Sequence, residues 1–325
     1  MKVAITGAFS YSGRYLAKLL LDAGHTVVSL SSRFAPIAAA PLTSQEVSRV
    51  EKHPLDFDDE KRLGAALEGC CVLWCTYWIR FERNGDTFAA AADRCARLFE
   101  IARQAGVRRI VYTSHTHATE DSPFVYIAGK ARAASALRAS GVASYAIARP
   151  CGIFGDTAGE SILMNNAAWV LRRAPLFLLA GDGQQRFQPI HVRDMAQLLL
   201  ELGALENEGA PSEERDACGP DKPTAVDLFQ HIASCVHSRA VVSAPGMLST
   251  RLVTQMTKPI NWYTGDVILD TDDLDLLCSG LTQAEVPEDP AISRRRSLFT
   301  WLEDVGPHLG NEYISSMQRY YYQRA

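Results

Sequence analysis

Apolar residues in the first half of the chain alternate between short continuous runs and helical spacings. MKVAITGA carries an apolar run into a small polar turn, AFSYSG, with Gly7 and Gly13 at its ends. In RYLAKLLLDAGH, Tyr15, Leu16, Leu19, Leu20 and Ala23 share one helical face, and HTVVSLSSR returns to a second run. Short apolar runs between turn residues predict buried strands, and a 3.6-residue period predicts amphipathic helices. The rhythm continues. SRVEKHP reads as a short strand, Glu60–Gly69 as a helix and CCVLWCTYW as a buried strand. Asn84–Ala105 reads as a long helix closed by Gly106, VRRIVYTSH as a strand, Lys130–Ser140 as a helix stopped by Gly141, and ASYAIARP as a sixth strand. Such alternation predicts an α/β fold, a doubly wound parallel sheet covered by helices on both faces.

Beyond Arg149-Pro150 the rhythm changes. CGIFGDTAGES is glycine-rich, SILMNNAAWVLRR is helical, and APLFLLAGDGQQRFQPIHV holds two short strands around Gly181-Asp182-Gly183. Arg193–Leu205 reads as a helix, NEGAPSEE as a solvated linker, RDACGP as a brief strand, and Thr224–His237 as a helix capped by Thr224. The C-terminal stretch reads as one or two amphipathic helices, with Tyr313, Met317 and Tyr320 on a packed face. A chain of 325 residues exceeds the span of one comfortable core. The expected division is residues 1–150 as a nucleotide-binding domain and 151–325 as a smaller lobe with returns to the main sheet.

Composition narrows the classes. Hydrophobic residues make up 47% and charged residues 22%, which argues against extensive disorder. A net charge of −4 gives no electrostatic reason to expect nucleic acid. No apolar run reaches a membrane span, and Met1 leads directly into a strand, so a cytoplasmic location is expected. The eight cysteines show no metal-ligand spacing and read as reduced thiols.

The opening strand–turn–helix–strand is the start of a dinucleotide-binding unit. Unpaired N–H groups and the macrodipole at a helix N-terminus favour a phosphate pair. Close approach of that pair to the backbone requires small residues, here Gly7, Ala8, Ser10, Ser12 and Gly13, with bulky Phe9 and Tyr11 between them. Arg33 stands at the end of the second strand. An acid there would hold a ribose hydroxyl, whereas an arginine suits a 2′-phosphate, with Ser31 and Ser32 as hydroxyl donors. NADP(H) is therefore expected ahead of NAD(H). Asp56 can accept from an adenine amino group, and Thr76 and Tyr77, at the end of CCVLWCTYW, are expected over the ribose and nicotinamide.

The candidate chemistry is Ser114 at a strand end followed by Tyr126-Ile127-Ala128-Gly129-Lys130. A tyrosine and a lysine four residues apart share a helix face. A neighbouring ammonium favours phenolate, so Tyr126 can pass a proton to a carbonyl oxygen while a hydroxyl steadies that oxygen. Thr113, His115 and Thr116 flank Ser114.

With TGAFSYSG, Arg33, Asp56, VYTSH, YIAGK, ARPCGIFG, RFQPIHVRDMA and CGPDKPT in order, residues 1–240 resemble the extended or atypical short-chain dehydrogenase/reductases, a group related to NAD-dependent epimerases/dehydratases. NNAAWVLRRAPLFLLAGDGQQRFQPIHVRDMAQ is most similar to bacterial relatives of the nucleotide-binding accessory subunit of respiratory complex I. The resemblance implies a Rossmann-type sheet with a smaller C-terminal α+β substrate lobe, and NADP(H) as cofactor. It also implies Tyr126 as acid/base, Lys130 as its pKa-lowering and ribose-binding partner, Ser114 as oxygen holder, and backbone contact from Pro150 to the nicotinamide amide. Two positions depart from the pattern. Ser10 replaces the middle glycine, and His115 occupies the usual hydroxyl slot, where an imidazole can donate to the substrate oxygen. The expected activity is hydride transfer to or from a carbonyl or alcohol of a small, largely apolar substrate. The alternatives are a non-catalytic NADP(H)-binding subunit, and a nucleotide-sugar epimerase or dehydratase with Arg172, Arg173, Arg186 and Arg193 around a diphosphate. A homodimer or a protein partner fits either enzyme or subunit.

Overall fold

A computed structural model describes residues 1–31, 40–204, 211–266, 271–284 and 290–316. Strand β1 is Lys2–Thr6, helix α1 Tyr11–Asp22 and β2 Thr26–Leu30. Next comes a helix, α2 (Ser44–Arg49), which takes in the first residues of SRVEKHP, read from the sequence as a strand. Its cause is a capping box: the Thr43 hydroxyl accepts from Glu46 N, and the Glu46 carboxylate accepts from Thr43 N. Strand β3 is correspondingly short, Glu51–His53. Then follow α3 (Glu60–Leu67), β4 (Cys70–Cys75), α4 (Phe88–Gln104), β5 (Arg109–Thr113), α5 (Val125–Ala139) and β6 (Ser144–Pro150).

The later chain contains β7 (Ile153–Phe154), α6 (Ile162–Leu171), β8 (Leu176–Leu178), β9 (Ile190–His191), α7 (Val192–Leu202) and β10 (Glu213–Ala217). After these come α8 (Ala225–Cys235), β11 (Val241–Ser243), α9 (Thr250–Thr264), α10 (Thr271–Cys278), α11 (Pro290–Ser293) and α12 (Leu298–Val305).

The main sheet has seven strands in the order β10-β6-β5-β4-β1-β2-β3, and every pairing in it is parallel. Parallel strands joined by helical crossovers are buried on both faces. This is why CCVLWC and RIVYT are nearly continuous apolar runs. Two compact units result, Met1–Pro150 with Arg193–Ala217, and Cys151–Val192 with Cys218–Ala325. In the second unit, short parallel pairs β7–β9 and β8–β11 accompany a core of Phe154, Leu171, Leu228, Ile232, Trp301 and Leu302.

Residues 193–204 and 211–217 are tied to the rest of the first unit by two buried side chains. Trp74 Nε1 donates to Leu199 O at 2.6 Å. Arg109 donates to Leu202 O at 2.6 Å, to the Glu213 carboxylate at 2.9 Å, and to the Ser144 hydroxyl. One guanidinium thus joins β5, β6, α7 and β10. Replacing Arg109 with alanine leaves the Leu202 carbonyl without this donor and Glu213 paired with Arg215 alone. Urea denaturation is expected to show a loss of about 2 kcal/mol, the cost of a buried polar group left without its partner.

Candidate functional site

The strand order reverses between β1 and β4, and at such a switch point the chains leaving two adjacent strand ends diverge and open a crevice. Gly7, just past β1, has φ +72°, and its carbonyl accepts from Ser10 N at 2.8 Å. A Cβ at Gly13 would lie 2.1 Å from that same carbonyl oxygen, so only glycine allows α1 to start this close to the strand end. Ser10 is the N-cap of α1, its hydroxyl accepting from Gly13 N at 3.3 Å. Serine is therefore tolerated where the usual motif has glycine because it caps the helix. Tyr11 and Ser12 form the first turn, with Phe9 preceding the cap.

At the end of β4, Thr6 Oγ1 accepts from Thr76 N and Tyr77 N, both at 2.8 Å, and Thr76 Oγ1 donates back to Thr6 O at 2.6 Å. Tyr77 packs on Phe57 with ring centres 5.1 Å apart, and its hydroxyl accepts from Arg94 at 3.2 Å. Asp56 is exposed, and one carboxylate oxygen accepts from Asp58 N at 3.0 Å, an Asx turn leading to the α3 cap at Asp59. Ser32 and Arg33 lie outside the described residues.

The end of β5 continues past Thr113 alongside β6. Ser114 N donates to Ala148 O at 2.8 Å and Thr116 N to Pro150 O at 3.2 Å, which occupies the Pro150 carbonyl on one side. Ser114 is buried, its hydroxyl only 3.5 Å from Lys130 O. Helix α5 begins five residues earlier than the sequence pattern predicts, at Val125, so Tyr126 sits in its first turn and Lys130 one turn later. The run Phe-Val-Tyr-Ile looks like a strand, but α5 packs closely on α4. A Cβ at Gly129 would lie 3.2 Å from the Phe88 carbonyl oxygen.

Lys130 is buried. Its ammonium donates to Thr113 O at 2.8 Å and lies 4.3 Å from the centre of the Trp78 ring and 5.3 Å from that of Tyr112. Burial lowers its pKa to about 8. Beside it, Thr113 Oγ1 and Trp78 Nε1 are buried with no hydrogen-bond partner among the described residues. Trp78, Phe88 and His115 surround the Tyr126 ring edge-on, with centres 6.1, 5.4 and 5.9 Å away. Sequence reasoning passed over Phe88 and Thr6. A lone aromatic at a helix start and a strand-end threonine carry no pattern of their own.

His115 differs from its expected role as a donor. Its Nδ1 lies 2.6 Å from Thr116 O, and a carbonyl oxygen only accepts, so Nδ1 carries the proton. Burial lowers the pKa to about 4, so the ring is neutral near pH 7 and Nε2 offers a lone pair. His115 can receive a hydrogen bond from a hydroxyl or N–H.

Residues 3–214 match the NAD dependent epimerase/dehydratase family. The chain belongs to that family. Among curated proteins it is 24% identical over 235 residues to the Arabidopsis thaliana mitochondrial NADH dehydrogenase [ubiquinone] 1 alpha subcomplex subunit 9, covering 70% of this chain but 56% of that relative. The chain thus spans little more than half the length of the curated relative it matches. The fold is similar to that of Citrobacter sp. triphenylmethane reductase complexed with NADP(H), with TM-score 0.70, 16% identity and coverage of 94% and 100% of the two chains. It is likewise similar to an Escherichia coli NADPH-dependent quinone oxidoreductase complexed with NADPH, with TM-score 0.68, 19% identity and coverage of 96% and 100%. Family membership accounts for the doubly wound sheet and the glycine turn. It leaves open what the buried lysine does.

That lysine makes a stability prediction. With a native pKa of about 8 against the usual 10.5, the unfolded chain binds a proton that the native state lacks between those values. Stability therefore rises with pH across that window, and the full cost is present below it. Lys130→Met is expected to remove this pH dependence and to stabilise the protein at pH 7 by roughly 2–3 kcal/mol. Denaturant titrations of both proteins from pH 7 to 11 check it, and an unchanged pH slope would refute it.

Proposed function

We propose that the protein is an NADP(H)-dependent oxidoreductase acting on a carbonyl or alcohol of a small, largely apolar substrate. The observation that carries this reading is the buried Lys130 ammonium one turn from Tyr126, at the β5 end that also carries Ser114. Two orphaned polar atoms, on Thr113 and Trp78, adjoin it. A ligand bearing hydroxyls fits such a place, because it would satisfy groups that are costly to leave unpaired. The glycine turn fits a pyrophosphate because it sets the N-terminus of α1, with its dipole, at the end of β1. The choice of NADP(H) rests on Arg33 and on the NADP(H) complexes of the two similar structures.

Bound NADP(H) would supply or accept the hydride. The protein's part is to move a proton and to exclude water. Tyr126 gives its phenolic proton to the substrate oxygen in reduction and takes it back in oxidation. Lys130, one helical turn from Tyr126, would supply the positive charge that favours phenolate. Ser114 donates to the same oxygen, and neutral His115 accepts from an adjacent donor on the substrate. Trp78 and Phe88 give the place an apolar, ring-sized wall.

A second reading, a non-catalytic NADP(H)-binding subunit, is favoured by one observation. The Trp78 ring covers the Lys130 ammonium that catalysis would need. The complex I subunit among its relatives points the same way. A nucleotide-sugar epimerase has less support. Arg172 donates to the carbonyls of Leu309, Val236, Gly306 and Pro307, Arg173 to those of Trp169, Gly310 and Asn311, and Arg186 to that of Lys222. These guanidiniums already hold backbone oxygens.

Tyr126→Phe is expected to lower kcat about 10²–10⁴-fold while leaving NADPH affinity within about twofold, measured by NADPH oxidation against a panel of aromatic carbonyls and quinones and by fluorescence titration. Equal turnover in the variant would sink the oxidoreductase role of Tyr126. Tight NADPH binding with no turnover by the unaltered protein would favour the subunit reading.

A further inference from the structure

Strands β6 and β10 pair in parallel and in step, from Ala146 opposite Glu213 to Pro150 opposite Ala217. The residue that follows is a cysteine in both, Cys151 and Cys218. Parallel neighbours lie about 4.8 Å apart, and residues at one level point to the same face. The two cysteines stay together past the last strand pair. They form one small buried cluster with Ala284, against which Ile292 packs. A disulfide spans Cα separations of about 4.4–6.8 Å, so neighbours on adjacent strands fall within its reach.

The backbone beyond each cysteine is held by one and the same segment. Gly152 O accepts from Ile190 N at 2.9 Å, and a Cβ at Gly219 would lie 2.4 Å from Pro189 O. Buried Gln188 joins these contacts, its Nε2 donating to Gly219 O at 3.0 Å and its Oε1 accepting from Ala284 N at 3.1 Å. Arg295 donates to Cys218 O at 2.5 Å, which brings a guanidinium to the backbone of the pair. A nearby positive charge favours thiolate, the nucleophile of disulfide formation. Access separates this pair from Cys75 and Cys95, which also share a core. Both of those are 0% exposed in the main core of the first unit, whereas Cys151 is 8% exposed and Cys218 0%. One thiol of the pair can therefore meet a small oxidant while its neighbour stays covered.

We propose that Cys151 and Cys218 are a site of reversible oxidation, closing as a disulfide that locks together the two points where the chain passes from the first compact unit into the second. Those passages fall between Pro150 and Cys151 and between Ala217 and Cys218. The oxidant is hydrogen peroxide. The Cys151 sulfur attacks one peroxide oxygen; an S–O bond forms, the O–O bond breaks and water leaves, giving the sulfenic acid. The Cys218 sulfur then attacks the Cys151 sulfur; the S–S bond forms, the S–O bond breaks and a second water leaves. The two sulfurs give up an electron pair, peroxide takes it, and both thiol protons end in water. Closure restrains the unfolded chain across the segment between the cysteines, so the oxidised protein is harder to unfold. The proposal is independent of any reaction at Tyr126.

The test treats the full chain with dilute hydrogen peroxide, blocks the remaining thiols with iodoacetamide in denaturant and maps the peptides by mass spectrometry. Two of the eight thiols are expected to be lost and a peptide pair joined through Cys151 and Cys218 to appear, both reversed by dithiothreitol. The urea midpoint of the oxidised protein should rise and fall back with dithiothreitol. Cys218→Ser should abolish the crosslink and the midpoint shift and leave Cys151 as a sulfenic acid that dimedone labels. Cys235→Ser, at the next cysteine along the chain, should change neither. Circular dichroism checks that both variants are folded before oxidation, and the mapping of the unaltered protein needs no variant. An unaltered protein that keeps all eight thiols, that stops at the sulfinic acid of Cys151, or that joins Cys75 to Cys95 would overturn the proposal. So would a crosslinked chain whose urea midpoint has not moved.

Discussion

The first unit depends on how closely α1 approaches the end of β1. At Gly13 a Cβ would fall 2.1 Å from the Gly7 carbonyl oxygen, so the helix can begin there only without a side chain. That approach brings the α1 N-terminus to the edge where all the strands of a parallel sheet end. The Thr6 hydroxyl then fastens Thr76 and Tyr77 to the same edge, and β5–β6 pairing carries Ser114 and Pro150 to it. Residues far apart in sequence become neighbours because crossover connections deposit every strand's C-terminal end on one side.

At this edge stability and chemistry pull in opposite directions. A buried ammonium is costly, and the Thr113 carbonyl with the Trp78 face replaces only part of its lost water. The orphaned Thr113 and Trp78 atoms beside it add to the cost. A domain selected for stability alone would place methionine or leucine at 130. Conflict between local physics and the global fold is a recurrent mark of binding and catalytic sites.

Much of the first unit was legible in the sequence, because buried parallel strands and amphipathic crossovers leave strong, regular patterns. The α2 helix was not, since its six residues are held by the reciprocal Thr43–Glu46 cap and not by an apolar period. The start of α5 was hidden by β-branched and aromatic residues whose helical state is imposed by packing on α4. The tyrosine–lysine pair could be read from its spacing. The tautomer of His115 could not, for it depends on which carbonyl the fold sets beside Nδ1 and on burial. Arg33 remains a statement about sequence alone.

The second unit shows why charge and periodicity mislead where backbone is the partner. Asn165 accepts from Gly310 N, and Asn166 both accepts from and donates to the backbone of Ile314, holding the segment from 309 to 314 as a neighbouring strand would. Arg172 and Arg173 continue that hold with seven donations to carbonyls, so two arginines that resemble an anion pocket act as staples. In α9 the opposite holds. The hydroxyls of Thr254, Thr257 and Thr264 donate to carbonyls of the helix itself, and these threonines are half-buried while Leu252, Met256 and Tyr263 are exposed. A helical period therefore identifies a face; whether it meets core, backbone or solvent depends on which polar groups are already satisfied.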